Sequence, residues 1–172
     1  RIFSLLDVPV RIASPDVPRT PTSPRGHIVF DHVWFAYGTS ETSGEPDWVL
    51  RDVAFEVQPG ERVGMVGATG SGKTTVINLL LRYYDVQRGA IRVDGVDIRE
   101  WDLTALRALF GLVLQDVQLF AGTIADNIRL GDPRISDQDV HAAADAVGAS
   151  GFIQALPGAF EARVAERGAT LS

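Results

Sequence analysis

The chain has no cysteine. That excludes disulfide frameworks, thiolate metal sites and a cysteine nucleophile, and it fits a reducing compartment without requiring one. Histidine is nearly as scarce. His27, His32 and His141 are scattered without metal-ligand spacing, so no metal site built from protein ligands alone is expected. No run approaches the roughly 18 apolar residues that span a bilayer. The opening Arg1-Ile2-Phe3-Ser4-Leu5-Leu6-Asp7 is too short in its apolar part, and meets an acid too early, for a secretory signal. Basic charge is also short: 16 Lys and Arg stand against 22 Asp and Glu, a net −6, which argues against a surface that coats nucleic acid. What is present is the composition of an ordinary globular protein, 45% hydrophobic and 22% charged over 172 residues, long enough to bury a core. As written, the chain reads as soluble.

One stretch carries chemistry by itself. Gly67-Ala68-Thr69-Gly70-Ser71-Gly72-Lys73-Thr74 matches the G-x-x-x-x-G-K-[ST] phosphate loop at every fixed position. Val63-Gly64-Met65-Val66 before it reads as a buried strand, and Thr75 to Leu81 after it as a helix. Backbone N–H groups must curl around a phosphate chain there, and side chains at Gly67, Gly70 and Gly72 would block the approach or forbid the required φ. The helix N-terminus adds free N–H groups, Thr75 among them, and a dipole that favours anions. Lys73 reaches the β/γ-phosphates as a point charge, and the Thr74 hydroxyl is placed to ligate Mg²⁺. The expected ligand is a nucleoside triphosphate with Mg²⁺.

Along the rest of the chain, residues 1–6 resemble the end of an amphipathic helix, and residues 9–26, rich in Pro, Ser and Thr, an extended linker without its own core. Residues 28–30 and 33–37 have strand composition, with Val33, Phe35 and Tyr37 on one face; 49–57 alternates again, with Val49, Val53, Phe55 and Val57 on one side. After a helix at about 73–84, Gly89 to Val93 reads as a strand, Asp94-Gly95 as a hairpin turn, and Val96 to Ile98 as the returning strand. Asp102 begins a short helix at 103–109, Phe110 to Leu114 reads as another buried strand, and 123–130, 136–148 and 150–155 read as short helices. The fold class is α/β: a phosphate-loop nucleotide core with an antiparallel β segment before it and a helical segment after it.

Several separate stretches together resemble the nucleotide-binding domain of exporter-type ATP-binding-cassette (ABC) transporters, over nearly the whole chain. They are Val33-x-Phe35-x-Tyr37-Gly38, the phosphate loop, Gln115 after Leu112-Val113-Leu114, the run Phe120 to Ile128, and Glu166-Arg167-Gly168 followed by Leu171-Ser172. The resemblance implies that Tyr37 stacks on adenine, a role a flat π face suits. It implies that residues 67–75 hold the phosphates of ATP, that Lys73 and Gln115 act in catalysis, and that Thr74 and Gln115 bind Mg²⁺. Gln115 to Ile128 would meet the transmembrane domain of the same transporter. Ser172 would begin the signature sequence that faces the γ-phosphate bound to a second nucleotide-binding domain. On this reading residues 1–26 lead in from a transmembrane domain, residues 27–172 are the N-terminal part of an incomplete ABC ATPase fold, and the parent lies at the cytoplasmic face of a membrane.

Within these 172 residues no apolar strand ends in an acidic pair, and no switch histidine follows one. Asp116 and Asp126 are not substitutes, because neither follows such a strand. Phosphoryl transfer is mostly positioning and charge stabilisation, so the expectation is an ATPase parent and a segment that binds ATP but hydrolyses it poorly or not at all. The rival readings are a non-catalytic nucleotide-binding regulator, a soluble cassette ATPase and a generic phosphate-loop kinase. The acidic balance and the linker count against a DNA-maintenance ATPase, and a kinase would leave Tyr37 and Gln115 unexplained.

Overall fold

Phe30 and Val33 are both buried, although a regular strand would turn residues three apart to opposite faces. The computed structural model, which describes residues 12–40, 42, 44–115 and 118–164, resolves the conflict with an extra residue in each of two strands. Strand β1 (Ile28–Thr39) pairs antiparallel with β2 (Pro46–Val57), with Phe30 opposite Phe55, Val33 opposite Val53 and Phe35 opposite Leu50. His32 and Asp52 mark the first two of the four register shifts along this pair. Both have left-handed φ, 49° and 52°, and His32 Nδ1 lies 2.7 Å from Asp52 Oδ1. Each bulge shifts the alternation by one position. The expected face of β2 is therefore corrected: Leu50 is buried, where plain alternation placed Val49.

The two strand segments expected at 28–30 and 33–37 are thus one strand, and the sheet runs in the order β2-β1-β3-β4. Strand β3 (Arg88–Val93) lies on the other side of β1, and β4 (Val96–Asp97) returns beside it through Asp94-Gly95. Both turn residues have positive φ, as a two-residue hairpin turn requires. β4 ends one residue before the expected Ile98, because the Asp97 carboxylate accepts the Arg99 N–H and starts a 3₁₀ turn over Ile98–Glu100. Helix α1 (Lys73–Leu80) stops short of the expected 84, since Arg82 adopts φ 50° and reverses the chain. Helix α2 (Leu103–Ala108) follows Asp102, whose carboxylate caps it by accepting the Ala105 N–H. Phe30, Val33, Phe35, Leu79, Ile91, Trp101 and Leu106 form the core of this first compact unit, which extends to Leu112.

The second unit begins at Val113. It contains the two-residue strands β5 (Gly122–Thr123) and β6 (Arg163–Val164), paired antiparallel, and helices α3 (Ile124–Arg129), α4 (Asp137–Ala146) and α5 (Ser150–Gln154). Thr123 with Asp126, and Ser136 with Asp139, form reciprocal capping boxes that start α3 and α4 where the sequence places helices. Ile124, Val140, Ala144, Ile153, Phe160 and Val164 form its core.

Two expected strands are absent. Residues 61–68 and 110–114 join no ladder among the described residues, and Val63, Val66, Val113 and Leu114 are exposed. Apolar composition marks these runs for burial, but a strand also needs a lateral neighbour to take its N–H and C=O groups. The described part of the proline-rich segment is extended, as expected, and is docked on the first unit. Arg19 N–H donates to Glu100 O at 2.8 Å, and the N–H groups of Arg25, Gly26 and His27 donate to the Asp94 carboxylate at 2.9 to 3.1 Å. Residues 1–11 and 165–172, and with them the expected helix end at 1–6, Glu166-Arg167-Gly168, Leu171 and Ser172, lie outside the described residues. Among the described residues no helix is long and apolar enough to cross a membrane.

Gly89 faces the bulge of β1 with φ +79°, and a Cβ there would lie 2.3 Å from the carbonyl oxygens of both Asp31 and His32. Gly89→Ala is expected to destabilise the chain by about 2–4 kcal/mol in urea unfolding, whereas Gly38→Ala, with open space around it, is expected to be nearly neutral. A second prediction concerns pH. Burial disfavours the Asp94 carboxylate, but the Gly26, His27 and Arg25 N–H groups outweigh it and hold its pKa below the ordinary range. This stabilisation is present above the ordinary carboxylate range and is lost as pH falls through the lowered folded value. Amide exchange at residues 25–27, measured against intrinsic rates, is expected to rise on acidification, and Asp94→Asn to show the loosened state at neutral pH.

Candidate phosphate-binding site

The loop before α1 is shaped by two left-handed glycines, Gly70 (φ 83°) and Gly72 (φ 88°), the second serving as N-cap. Helical bonding begins with the Val76 N–H to Gly72 O, at 3.0 Å, so the N–H groups of Lys73, Thr74 and Thr75 have no partner within the helix. A Cβ at Gly67 would lie 2.5 Å from Ser71 Oγ, which shows how tightly the loop turns on itself. Left-handed backbone, a glycine approach and a helix start with free N–H groups make a cradle for a polyanion. That donor set fits a phosphate chain.

Lys73 lies across the loop. Its Nζ donates to Gly67 O at 2.7 Å and Ala68 O at 2.9 Å, with Ser71 Oγ at 3.4 Å. These carbonyls compete with a phosphate for the same ammonium, and a charged acceptor is the stronger partner. Thr74 is exposed in the first turn, where its hydroxyl can reach a cation held by the phosphates. Thr75 is buried, and its hydroxyl lies 3.1 Å from the Tyr37 hydroxyl. What Thr75 can offer an anion is therefore its backbone N–H.

Tyr37 and the loop come together through that contact. The Tyr37 ring is 52% exposed and meets Phe35 and Tyr84 edge to face, with centroids 4.8 and 5.1 Å away. Asn78 Nδ2 approaches the Tyr37 hydroxyl at 3.5 Å from one turn beyond Thr75. The aromatic on β1 is thus braced against the helix that carries the loop, with part of its ring open for stacking. Sequence reasoning missed three braces: Asn78, Tyr84 and Gln87. The Gln87 amide donates to Ala36 O at 2.7 Å and accepts the Ala36 N–H at 3.1 Å, fixing the strand just before Tyr37. The Thr75–Asn78 spacing, one helical turn, was the available signal; nothing local points to Gln87.

Gln115 belongs to the second unit, where it is exposed, and is not among the groups that the first unit assembles. In the run from Phe120 to Ile128, Phe120 is exposed while its backbone N–H and C=O are both bonded to the Asn127 amide, at 2.8 and 2.9 Å. Ile124 is buried in the second core and Ile128 packs against it, so of these three apolar side chains Phe120 is the exposed one. Beside them lies an apolar cleft of about 440 Å³ lined by Leu119, Ile128, Ala143, Val147 and Phe152.

Comparison with known proteins places this geometry among relatives. The pattern of the family described as ABC transporter matches residues 50–172. The chain is 40% identical over 172 residues to the fatty acid ABC transporter ATP-binding/permease protein of Mycobacterium bovis, covering 100% of this chain and 26% of that protein. It is 45% identical over 173 positions to the ATP-dependent lipid A-core flippase of Alkalilimnicola ehrlichii, covering 99% of this chain and 28% of that protein. A solved bacterial Atm1-family ABC exporter with ATP bound matches at TM-score 0.85 and 38% identity, covering 99% of this chain and 29% of that one. The chain therefore spans little more than a quarter of the length of these relatives.

Gly72 supplies the test of the cradle. A side chain there would sit at φ +88° and meet Leu50 Cδ2 at 2.7 Å. Gly72→Ala is expected to cost about 1–3 kcal/mol in urea unfolding, because a side chain at that φ is strained and Leu50 must move to admit it. Gly64→Ala, which meets nothing within 4 Å, is expected to change little.

Proposed function

The chain belongs to the ABC transporter family, with the α/β fold of its ATPase domain, and from that premise we propose that residues 27–172 form the N-terminal part of an exporter's nucleotide-binding domain. Residues 1–26 lead in from its transmembrane domain, and the whole lies at the cytoplasmic face of a membrane. The observation that carries the proposal is the joining of Tyr37 on β1 to the phosphate-loop helix through Thr75, which supports reading the ring as an adenine platform beside a phosphate cradle. ATP would stack its base on Tyr37 and run its phosphates along the N–H groups of residues 67–75.

Lys73 would leave the Gly67 and Ala68 carbonyls for the β/γ-phosphates. Thr74 and Gln115 are the residues proposed to hold Mg²⁺, which when bound would neutralise and orient the phosphate oxygens. The run from Gln115 to Ile128 would meet the transmembrane domain, with Phe120 and the cleft beside α3 as the contact surface. A second nucleotide-binding domain would complete the site, facing Ser172. Which substrate is moved lies with membrane helices rather than with these residues. With no acid after an apolar strand within 1–172, this polypeptide alone is proposed to bind ATP and turn it over slowly or not at all.

Titration of residues 1–172 with a fluorescent ATP analogue tests the reading. Lys73→Ala is expected to weaken binding about 10- to 100-fold through loss of a charged contact. Tyr37→Ala should weaken it about tenfold, and Tyr37→Phe, which keeps the π face, by no more than about twofold. Equal affinity across all four proteins would remove the site assignment. Rapid phosphate release that Lys73→Ala abolishes would overturn the proposal of poor turnover.

A further inference from the structure

The far end of α1 is held as firmly as its loop, and the hold leads to the docked arm. After Leu80 the chain reverses at Arg82, a non-glycine residue at φ 50° whose side chain is buried and bonds Asp85 Oδ1 through Nε at 2.9 Å. Such a conformation persists only when its surroundings impose it. Two local backbone bonds close the turn, Arg82 N–H to Leu79 O and Tyr83 N–H to Asn78 O, each 2.9 Å, and it is braced from outside by Arg107 on α2. The Arg107 Nε donates to Leu81 O at 3.1 Å, its Nη2 donates to Arg82 O at 3.0 Å, and its guanidinium lies 5.1 Å from the Tyr83 ring centroid. One planar fork thus satisfies two carbonyls at the negative end of the loop-bearing helix.

α2 is itself pinned by the arm. The Ser14 hydroxyl accepts the Leu103 N–H at 2.8 Å and donates to Asp102 Oδ2 at 3.0 Å, while Asp102 Oδ1 takes the Ala105 N–H. Arg19 adds a backbone bond and an ion pair to Glu100, each shorter than 3.0 Å. Leu103 and Arg107 stand four residues apart, about 6 Å along the axis of α2, so the arm's anchor and the residue that carries the fork are one turn apart.

We propose that Arg107 is a positioning residue for the phosphate loop, and that residues 14–19 set its position, so that the arm and the loop are energetically linked through α2 and α1. α2 has only six residues and frays without its cap. Releasing the cap loosens the fork, the fork releases the turn at Arg82, and α1 gains freedom at the end opposite Lys73. Tension or slack in the arm would then be felt at the loop without any contact between them.

The linkage itself does not require a bound nucleotide, so its first test is amide exchange in the unliganded chain. Ser14→Ala removes one exposed hydroxyl and leaves the core intact. It is expected to speed exchange about fivefold at residues 103–108 and also at 73–82, with Ser14→Thr restoring both. Acceleration confined to 103–108, or none at all, overturns the proposal. Arg107→Gln is expected to speed exchange at 73–82, and adding Ser14→Ala to it should speed those residues little further, because both act through one fork; additive effects overturn the proposal. Affinity for the fluorescent ATP analogue, read on the same variants, rests on the nucleotide reading. A parent that exchanges as described yet binds no analogue would overturn that reading and leave the linkage standing.

Discussion

Leu79, which has no exposed surface, is the contact on which the first unit depends. It sits on the inner side of α1 with Val76 and packs into the core with Phe30, Val33, Phe35 and Ile91, so one side chain seats the loop-bearing helix on the sheet. Full burial of a leucine contributes about 1.5–3 kcal/mol. Its positional effect matters more than that figure, because α1 is short and has few other buried side chains. The sheet can receive Leu79 only because the bulges at His32 and Asp52 keep Phe30, Val33 and Phe35 on one face, and the first bulge in turn leaves room for nothing larger than glycine at position 89. A helix seat, two bulges and one glycine form a single constraint.

The chemistry of the loop inherits that rigidity. Its N–H groups are held apart from helical partners by Gly72, whose close approach to Leu50 comes from the same seating of α1 on β2. Preorganised donors need no rearrangement when an anion arrives. Lys73 is the charged side chain of the loop, and its two carbonyl partners hold it near its place of use. Loop geometry and the Tyr37 brace are thus consequences of the core rather than additions to it.

Where chemistry or a turn demanded particular residue types, the sequence could be read closely. The phosphate loop, the Asp94-Gly95 hairpin, the Asp102 cap and the helices opened by Thr123 and Ser136 all depend on neighbours within a few positions. The phase change in β2 was not legible, because Asp52 looks like any outward polar residue until its partner strand is in place. Nor was the early end of α1, since Leu81, Arg82, Tyr83 and Tyr84 are fair helix formers, no glycine marks the left-handed position, and the brace from Arg107 comes from 25 residues away. The family resemblance named Tyr37, but only packing showed what holds it.

The runs at 63–66 and 110–114 separate two properties that sequence patterns merge. Apolar composition states how much water a segment would shed, whereas strand structure requires a neighbour of matching register. Among the described residues these runs have the first without the second, and an open apolar cleft of about 320 Å³ lies beside the run at 63–66, lined in part by Val53, Phe55, Val63, Met65 and Val76. The cradle nonetheless keeps its form between Val66 and α1. It is held from the helix side by Gly72 against Leu50, Thr75 against Tyr37 and Leu79 in the core, and across the loop by Lys73 on the Gly67 and Ala68 carbonyls. A neighbour pairing with residues 63–66 would take up their N–H and C=O groups and bury the cleft that lies against the foot of the loop.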